Sequence, residues 1–454
     1  MRQEKPNRRS GTAKIPPKQR ILNHAVELFA QKGYTETTTR ELAAAVGLKG
    51  SSLYSHFPSK KAILEYILED FMEHITRDYM NKDIPAVLRE NPDTDGILDC
   101  LLYGLPKGWD AYYRSVLNIL LQEQHRNPIM HRFMSEKAIL PLEQNACMII
   151  GTLKTIGIIH QDTDPDFWMK TFSSLYYTFA NRYMLGLGED APGFTGMGTD
   201  GLLRFLFDMM LKTCGVKAKW QNVTAAGKRN DVIRPETPRP NDSTGEISSK
   251  QKILNCAAEL FAKKGYTETT IRELAAAVGL KGSSIYSHFP SKKAILEYIL
   301  EDYTEHIALA KEDIPVLIRE NPTTDGIIAC LPHGFPEGRK EYYLKVLEVL
   351  MQEQHRNPIV RRFLAQKAIL LPERNVKTAM DELQTISAIR PDTDPDFWMK
   401  VASSLHYAFA NRYMLGIGED APDFTGMGLD DLLRRLFDLM LETCGTGQKN
   451  KSLP

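Results

Sequence analysis

The chain has no hydrophobic run approaching the roughly 20 residues that a membrane-spanning helix needs. Its opening stretch, M-R-Q-E-K-P-N-R-R-S, has no apolar core of the kind a signal peptide carries. Membrane insertion and export are therefore not expected. Cysteine is scarce, six in 454 residues at 100, 147, 214, 256, 330 and 444, without metal-ligand spacing. A chain this long needs no disulfide framework, and a reducing cytoplasm is the expected location. Neither charge is in excess, with 57 basic and 57 acidic side chains. A phosphate loop, a dinucleotide fingerprint and a nucleophile elbow are all missing. Asp162, Asp164 and Asp166 resemble the start of a calcium loop. However, Phe167 holds the sixth position and Ser173 the twelfth, where glycine and a bidentate glutamate are required. An acidic cap for a helix at Phe167 accounts for them better. His125 and His131 lack further ligands for a metal. No metal and no cofactor are expected. An enzyme remains the weak alternative, since it would need a catalytic constellation hidden among helices.

What the chain does contain, it contains twice. Residues 40–52 read R-E-L-A-A-A-V-G-L-K-G-S-S, and residues 272–284 repeat this letter for letter. Landmarks correspond at an offset of 232 as far as His74 and His306, then at 230 after a two-residue deletion before Asp83 and Asp313. Later pairs include Q-E-Q-H-R-N-P at 122–128 and 352–358, and D-T-D-P-D-F-W-M-K at 162–170 and 392–400. So long a period, far above that of solenoid repeats, marks a duplicated domain. Between Lys18 and Phe71 the copies differ at seven places: Arg20, His24, Val26, Gln31, Thr39, Leu53 and Phe71. The later parts have drifted more, as in Phe172 to Ala402 and Tyr176 to His406. Constraint on the first part explains this better than recent gene conversion.

Within each repeated head the spacing predicts three helices. Ile21, Leu22, Ala25, Leu28 and Phe29 form an apolar stripe that ends at Gly33. Thr38 with Glu41, and Thr270 with Glu273, are capping boxes that open a short helix of strong helix formers. Gly47 stops it, and a second short helix begins near Gly50, anchored by Leu53, Tyr54 and Phe57. Two short helices around such a turn describe a helix-turn-helix, whose second helix can enter a DNA major groove. Ser59 then caps a long helix to about Arg77.

The pattern Ala25, Leu28-Phe29, Gly33-Tyr34, Thr37-Thr38, Leu42-Ala43, Val46-Gly47-Leu48, Leu53-Tyr54, His56-Phe57, Lys60 and Leu64 resembles the DNA-binding domain of TetR-type bacterial transcriptional repressors. Lys49 and Lys281 depart from the Ser or Thr common there, and a glycine usual one place later sits at Gly50. The heads are basic despite the neutral total. Lys18 to Lys61 carries seven basic against three acidic residues, and Lys250 to Lys293 eight against three. Small Ser51, Ser52 and Ser55, beside Gly50, let a helix backbone approach base edges, and Lys49 is the long reader of bases or phosphates. Tyr54, His56, Thr38 and Lys60 are expected at phosphates. Lys60 stands at a helix N-terminus that already favours an anion. The second head repeats the set as Lys281, Gly282, Ser283, Ser284, Tyr286, Ser287 and His288, with Thr270 and Lys292.

The resemblance implies an all-α chain of two tandem units, each a three-helix head and a helical body that senses a ligand and dimerises. The boundaries read as a basic N-terminal arm at 1–17, heads at 18–77 and 250–309, bodies at 78–214 and 310–445, and a linker at 215–249. Helical segments are expected at Trp109–Arg126, after Pro128, at Phe167–Leu185 and at Leu202–Cys214. The last two match in position the family's dimer-forming helices, and 167–214 is expected to pack against 397–444 within one chain. Ligand candidates are Trp109, Tyr112, Tyr113, His125, Arg126, Tyr176 and Arg182, an apolar wall with a few polar groups. Alternatively, the arginines pair with Glu123 or Glu189. The implied function is a ligand-responsive repressor that binds a double-stranded, pseudo-palindromic DNA operator and answers to an unidentified small-molecule effector. The alternative is a constitutive DNA-binding or architectural factor. A single-chain pseudo-dimer is expected; the other possibility pairs each half with another chain.

Overall fold

A computed structural model describes residues 16–77, 82–101, 111–187, 196–216, 248–308, 313–331, 338–417 and 426–446. Most of the N-terminal arm and of the linker, and Trp109, therefore lie outside the described residues. The chain divides into two compact units, Met1–Arg77 with Gly104–Glu123, and Asp78–Tyr103 with Gln124–Pro454. Among the described residues the regular structure is helical, with isolated bridges Ile159 to Gly215 and Ile389 to Gly445 beside it. No described helix is long and apolar enough to cross a membrane.

The first unit holds α1 (Pro17–Lys32), α2 (Thr39–Val46), α3 (Gly50–Tyr54) and α4 (Lys60–Thr76), with α7 (Ala111–Glu123) packed on α1 and α4. Local chemistry sets each boundary. Gly33 at φ 96° turns the chain after α1. The Thr38–Glu41 capping box opens α2, and Gly47 in the left-handed conformation closes it. Ser59 accepts from the Ala62 amide to start α4. The buried stripe of Ile21, Leu22, Ala25 and Phe29 meets Leu42, Leu53, Phe57, Ile63 and Leu64. Tyr54 does not share this anchor, since it is 51% exposed. Leu53 and Phe57, four apart, occupy the inward face, and Tyr54 one residue on points outward.

The second unit holds α5 (Ile84–Glu90), α6 (Thr94–Cys100), α8 (Pro128–Arg132), α9 (Leu140–Thr155), α10 (Pro165–Met184) and α11 (Thr199–Cys214). Residues 133–139 continue α8 into α9 through wider, π-type turns. The same unit contains the whole second copy. Its head is α12 (Ser249–Lys264), α13 (Ile271–Ala277), α14 (Gly282–Tyr286) and α15 (Lys292–Tyr303). There follow α16 (Ile314–Glu320), α17 (Thr324–Ala329), α18 (Lys340–Glu353), α19 (Pro358–Phe363), α20 (Leu370–Thr385), α21 (Pro395–Met414) and α22 (Leu429–Cys444). Asp164, from the acidic run that imitates a calcium loop, caps α10 by accepting from the Asp166 amide at 2.9 Å.

The centre of this unit is the crossing of α10 with α21, flanked by α11 and α22. Its polar contacts come in reciprocal pairs. Arg182 donates to Glu373 at 2.6 Å and Arg412 donates to Glu143 at 2.5 Å, all four side chains being buried. Ser173 and Ser403 donate to the same two carboxylates at 2.8 and 2.9 Å. Asp166 accepts from the Met427 amide while Lys170 donates to the Met427 carbonyl. Asp396 and Lys400 treat Met197 the same way. Here two glycines are required. Gly196 and Gly426 have φ of 82° and 88°, and a Cβ on either would overlap the Asp396 or Asp166 carboxylate. Corresponding residues of the two copies thus exchange partners across a pseudo-two-fold, as in an isologous dimer.

Replacing one partner of such a pair leaves a buried charge alone, which costs about 3–5 kcal/mol. Glu143→Gln is therefore expected to lower the denaturation midpoint sharply, and Glu143→Met with Arg412→Met to recover most of the loss. Urea unfolding followed by circular dichroism measures both. A single mutant as stable as the parent would remove the pair from the list of structural necessities.

Candidate nucleic-acid interface

The turn from Gly33 to Thr38 precedes the helix-turn-helix and is held on two sides. Lys60 at the start of α4 donates to the carbonyls of Tyr34 and Thr37, each at 2.7 Å, and of Thr35 at 3.3 Å. Its ammonium also lies 4.4 Å from the centre of the Tyr34 ring. Glu123 at the end of α7 accepts from the Tyr34 amide at 3.2 Å. The second head repeats the arrangement. Lys292 donates to Tyr266 and Thr269 at 2.7 Å and to Thr267 at 3.1 Å, and Glu353 of α18 accepts from the Tyr266 amide at 3.1 Å. An ammonium has three donors, and here all three are used. Lys60 and Lys292, expected at phosphates, thus also hold the turn through its backbone carbonyls. Burial pushes both lysines below the usual range, while nearby glutamates, Glu123 and Glu353 among them, act against that shift.

The other expected residues of the head are spread over one accessible surface. Lys49, Gly50, Ser51, Tyr54, Ser55 and His56 are exposed and Ser52 is half-buried. In the second head Lys281, Ser283, Tyr286, Ser287 and His288 are exposed, with Gly282 and Ser284 half-buried. Lys49 and Lys281 have no ion-pair partner among the described residues, and unlike Lys60 and Lys292 they are not held by backbone carbonyls. Ser55 and Ser287 each donate to a carbonyl one turn back at 2.7 Å, which leaves their lone pairs outward. Thr38 and Thr270 are exposed, but their hydroxyls serve the capping boxes. Sequence reasoning overlooked Thr39 and Arg40. They line a depression of about 290 Å³ with Gly50 and Tyr54, between α2 and α3. Arg40 was legible as an exposed cation at the start of α2, and Arg272 is exposed at the same place in the second head.

Glu41 and Glu273 tie the capping box to the helix before it. Each pairs with a lysine, Lys32 or Lys264, and accepts from the amide of its capping threonine at 2.8 Å. The lysine hydrogen bond, then those of the threonine, hold both carboxyls down at about 2.

The described ligand candidates are divided between the two units. Tyr112 and Tyr113 belong to the first unit, where Tyr113 stacks on His74 at 3.7 Å and donates to Asp70 at 3.3 Å. In the second unit Tyr176 packs on the core beside Phe172, and Arg182 is spent on Glu373. The arginines do pair with glutamates, Arg126 with Glu353 and Arg182 with Glu373 of the other copy, while Glu189 lies outside the described residues. His125 and Arg126 line a depression of about 470 Å³.

The profile of bacterial regulatory proteins of the tetR family matches residues 21–67 and again 253–299. Among curated proteins, the chain is 38% identical over 72 residues to the HTH-type transcriptional repressor KstR2 of Rhodococcus jostii, covering 16% of this chain and 35% of that protein. It is 40% identical over 68 residues to the negative transcriptional regulator IcaR of the biofilm operon icaADBC in Staphylococcus aureus, covering 14% and 37%. The chain thus spans about a third of the length of the curated relatives it matches. Among solved structures, Salmonella enterica GusR aligns with 44% of this chain and 98% of its own at 19% identity and a TM-score of 0.32. A Saccharomonospora viridis regulator in complex with choline aligns with 43% and 97% at 21% identity and 0.32.

Two outcomes follow from the geometry. Lys60→Ala is expected to destabilise the first head by about 2 kcal/mol, the scale of hydrogen bonds to a charged group. It should leave the salt dependence of DNA binding unchanged once the variant is folded. A slope reduced by about one phosphate contact would return Lys60 to the interface. Because the Glu41 and Glu273 carboxyls lie below the ordinary value of 4.5, their contribution is complete above that pH and is lost as pH falls towards about 2. Melting curves between pH 5 and 2 should fall less steeply in Glu41→Gln with Glu273→Gln than in the parent.

Proposed function

We propose that this member of the tetR family, which carries the family's N-terminal domain twice in one chain, is a sequence-specific DNA-binding transcriptional regulator acting as a repressor. The carrying observation is that both heads are basic and carry the same G-S-S and Y-S-H residues at α3 and α14, with Ser51, Tyr54, Ser55, His56, Ser283, Tyr286, Ser287 and His288 exposed. Lys49 and Lys281 read bases or phosphates. The serines approach base edges, and Tyr54, His56, Tyr286 and His288 meet the backbone. Arg40 and Arg272 extend the same surface. Identical readers imply two half-sites of nearly the same sequence, read as an inverted repeat. KstR2 and IcaR, the relatives of the heads, are a repressor and a negative regulator. The helical bodies act as the sensor, so that a small molecule releases the operator.

The reciprocal contacts of α10, α11, α21 and α22 also support a single chain as the working particle, since the family's paired helices are already paired within it. Sedimentation at micromolar concentration should report one chain, and a stable two-chain particle would contradict this.

The fusion permits a test that a homodimer does not, because one head can be altered alone. Tyr54→Ala and Tyr286→Ala each remove an exposed side chain from one recognition helix. Specific and non-specific binding differ by about 4–10 kcal/mol, so either mutant should lose several of those. The double mutant should add little further loss. Footprinting of an operator selected from random DNA, with melting curves as the folding control, reads all three. A folded single mutant with parental affinity for the full operator would refute two-headed recognition.

A further inference from the structure

We propose that the depression at the start of α8 is a binding site for a small anion, carboxylate or phosphate, and that Arg126 passes its occupancy to the second head. The proposal rests on the sensor reading above and gives it a site, a ligand class and a route. The depression, of about 470 Å³, is lined by His125, Arg126, Asn127, His131 and Arg132, against the single carboxylate of Glu136. The Arg132 guanidinium stays charged at any working pH, Arg126 brings a second whose counter-charge is Glu353, and a planar fork suits a bidentate oxyanion. His125 is buried, which pushes its pKa down to about 4, so at neutral pH it offers a neutral imidazole rather than charge.

Arg126 faces two ways. It lines the depression and also pairs with Glu353 through Nη2. The Glu353 oxygen that takes this arginine is the one that accepts from the Tyr266 amide at 3.1 Å. The guanidinium also lies against the same turn, since a Cβ on Gly265 would stand 2.8 Å from Nη2. An anion that draws Arg126 into the depression removes the counter-charge from Glu353. It thereby loosens the grip on Gly265–Thr269, the turn from which α13 and α14 start. The ligand held by the first copy acts on the head of the second. The second copy is built differently at the matching place: Arg361 stands where the first copy has His131, and it donates to the His355 carbonyl at 2.5 Å.

The test needs no DNA. Amide hydrogen exchange of residues 265–269 is followed in the full chain at fixed ionic strength, with inorganic phosphate or succinate as the probe and chloride as the reference. Either probe should raise exchange there by about fivefold or more, the lower end of ordinary coupling between sites. Arg132→Gln should abolish the response and keep the exchange seen without a probe. Arg126→Gln should raise exchange without any probe and no longer respond. If Arg126→Gln does not fold, Arg126→Lys, which keeps the charge and loses the fork, should respond less than the parent. A response to phosphate alone or to succinate alone assigns the oxyanion. Unchanged exchange with both probes, or an equal response in Arg132→Gln, overturns the site. If the operator is released by an uncharged compound while both anions leave 265–269 unchanged, the regulator reading stands and this site falls. If the anions loosen 265–269 in a chain that selects no operator, the site stands and the regulator reading falls.

Discussion

A lysine ammonium closed by three backbone carbonyls underlies each head. The Tyr34–Thr37 and Tyr266–Thr269 turns carry carbonyls that no helix satisfies, and Lys60 and Lys292 gather three of them at once. On the opposite side a carboxylate, Glu123 or Glu353, takes the amide of the same tyrosine. Thr37 and Thr269 add hydroxyl donors to the carbonyls of Gly33 and Gly265 at 2.8 Å. A turn held by opposite charges on its two polar sides has little freedom left. The capping threonine one residue later, and the direction of the helix it opens, inherit that rigidity. The recognition helix is only five residues long and could not hold a fixed orientation by its own hydrogen bonds.

The second unit shows what fusion allows. In a homodimer each residue of an isologous interface must serve both sides, so any change appears twice. Here the charged contacts have kept that reciprocity: Glu143 with Arg412 and Glu373 with Arg182, each glutamate also receiving a serine. Elsewhere the symmetry has lapsed. Thr178 donates to the Ser404 carbonyl at 3.1 Å, and its counterpart Ala408 has no hydroxyl to return the bond. Phe205 packs on Phe397 with ring centres 4.4 Å apart, while its counterpart is Arg435. A buried ion pair broken on one side leaves a charge without solvent or partner, whereas a lost methyl or hydroxyl is a smaller penalty. That difference explains which contacts stayed paired and which diverged.

The parts of the fold governed by neighbours in sequence were legible. Gly33, Gly47 and the capping boxes act within four residues, and the apolar stripe of α1 repeats at helical spacing, so each helix of the head could be drawn before its packing was known. The exposed set around Lys49 followed from the same local pattern. What stayed hidden at the lysines and arginines has one cause, a partner far away in the chain. Lys60 reads as a free cation at a helix start, and its carbonyls lie 23 to 26 residues earlier. Arg126 and Arg182 read as ligand groups or as partners of nearby glutamates, but their carboxylates are 227 and 191 residues distant. Tyr54 reads as core because it is aromatic, yet it lies one residue beyond the inward face.

The same distance in sequence explains why nearly identical heads can sit on divergent bodies. Residues on the outer face of α3 and α14 are exposed and have few contacts among the described residues, that of Tyr54 with the Thr39 hydroxyl at 3.4 Å being one, so few internal substitutions could compensate for a change there. Interior residues of the bodies do have such partners, and a change on one helix can be answered on another. Duplication within one chain therefore leaves the exposed faces of α3 and α14 alike while the two interiors become different. A difference between the interiors is the physical condition for giving one copy a task that the other does not perform.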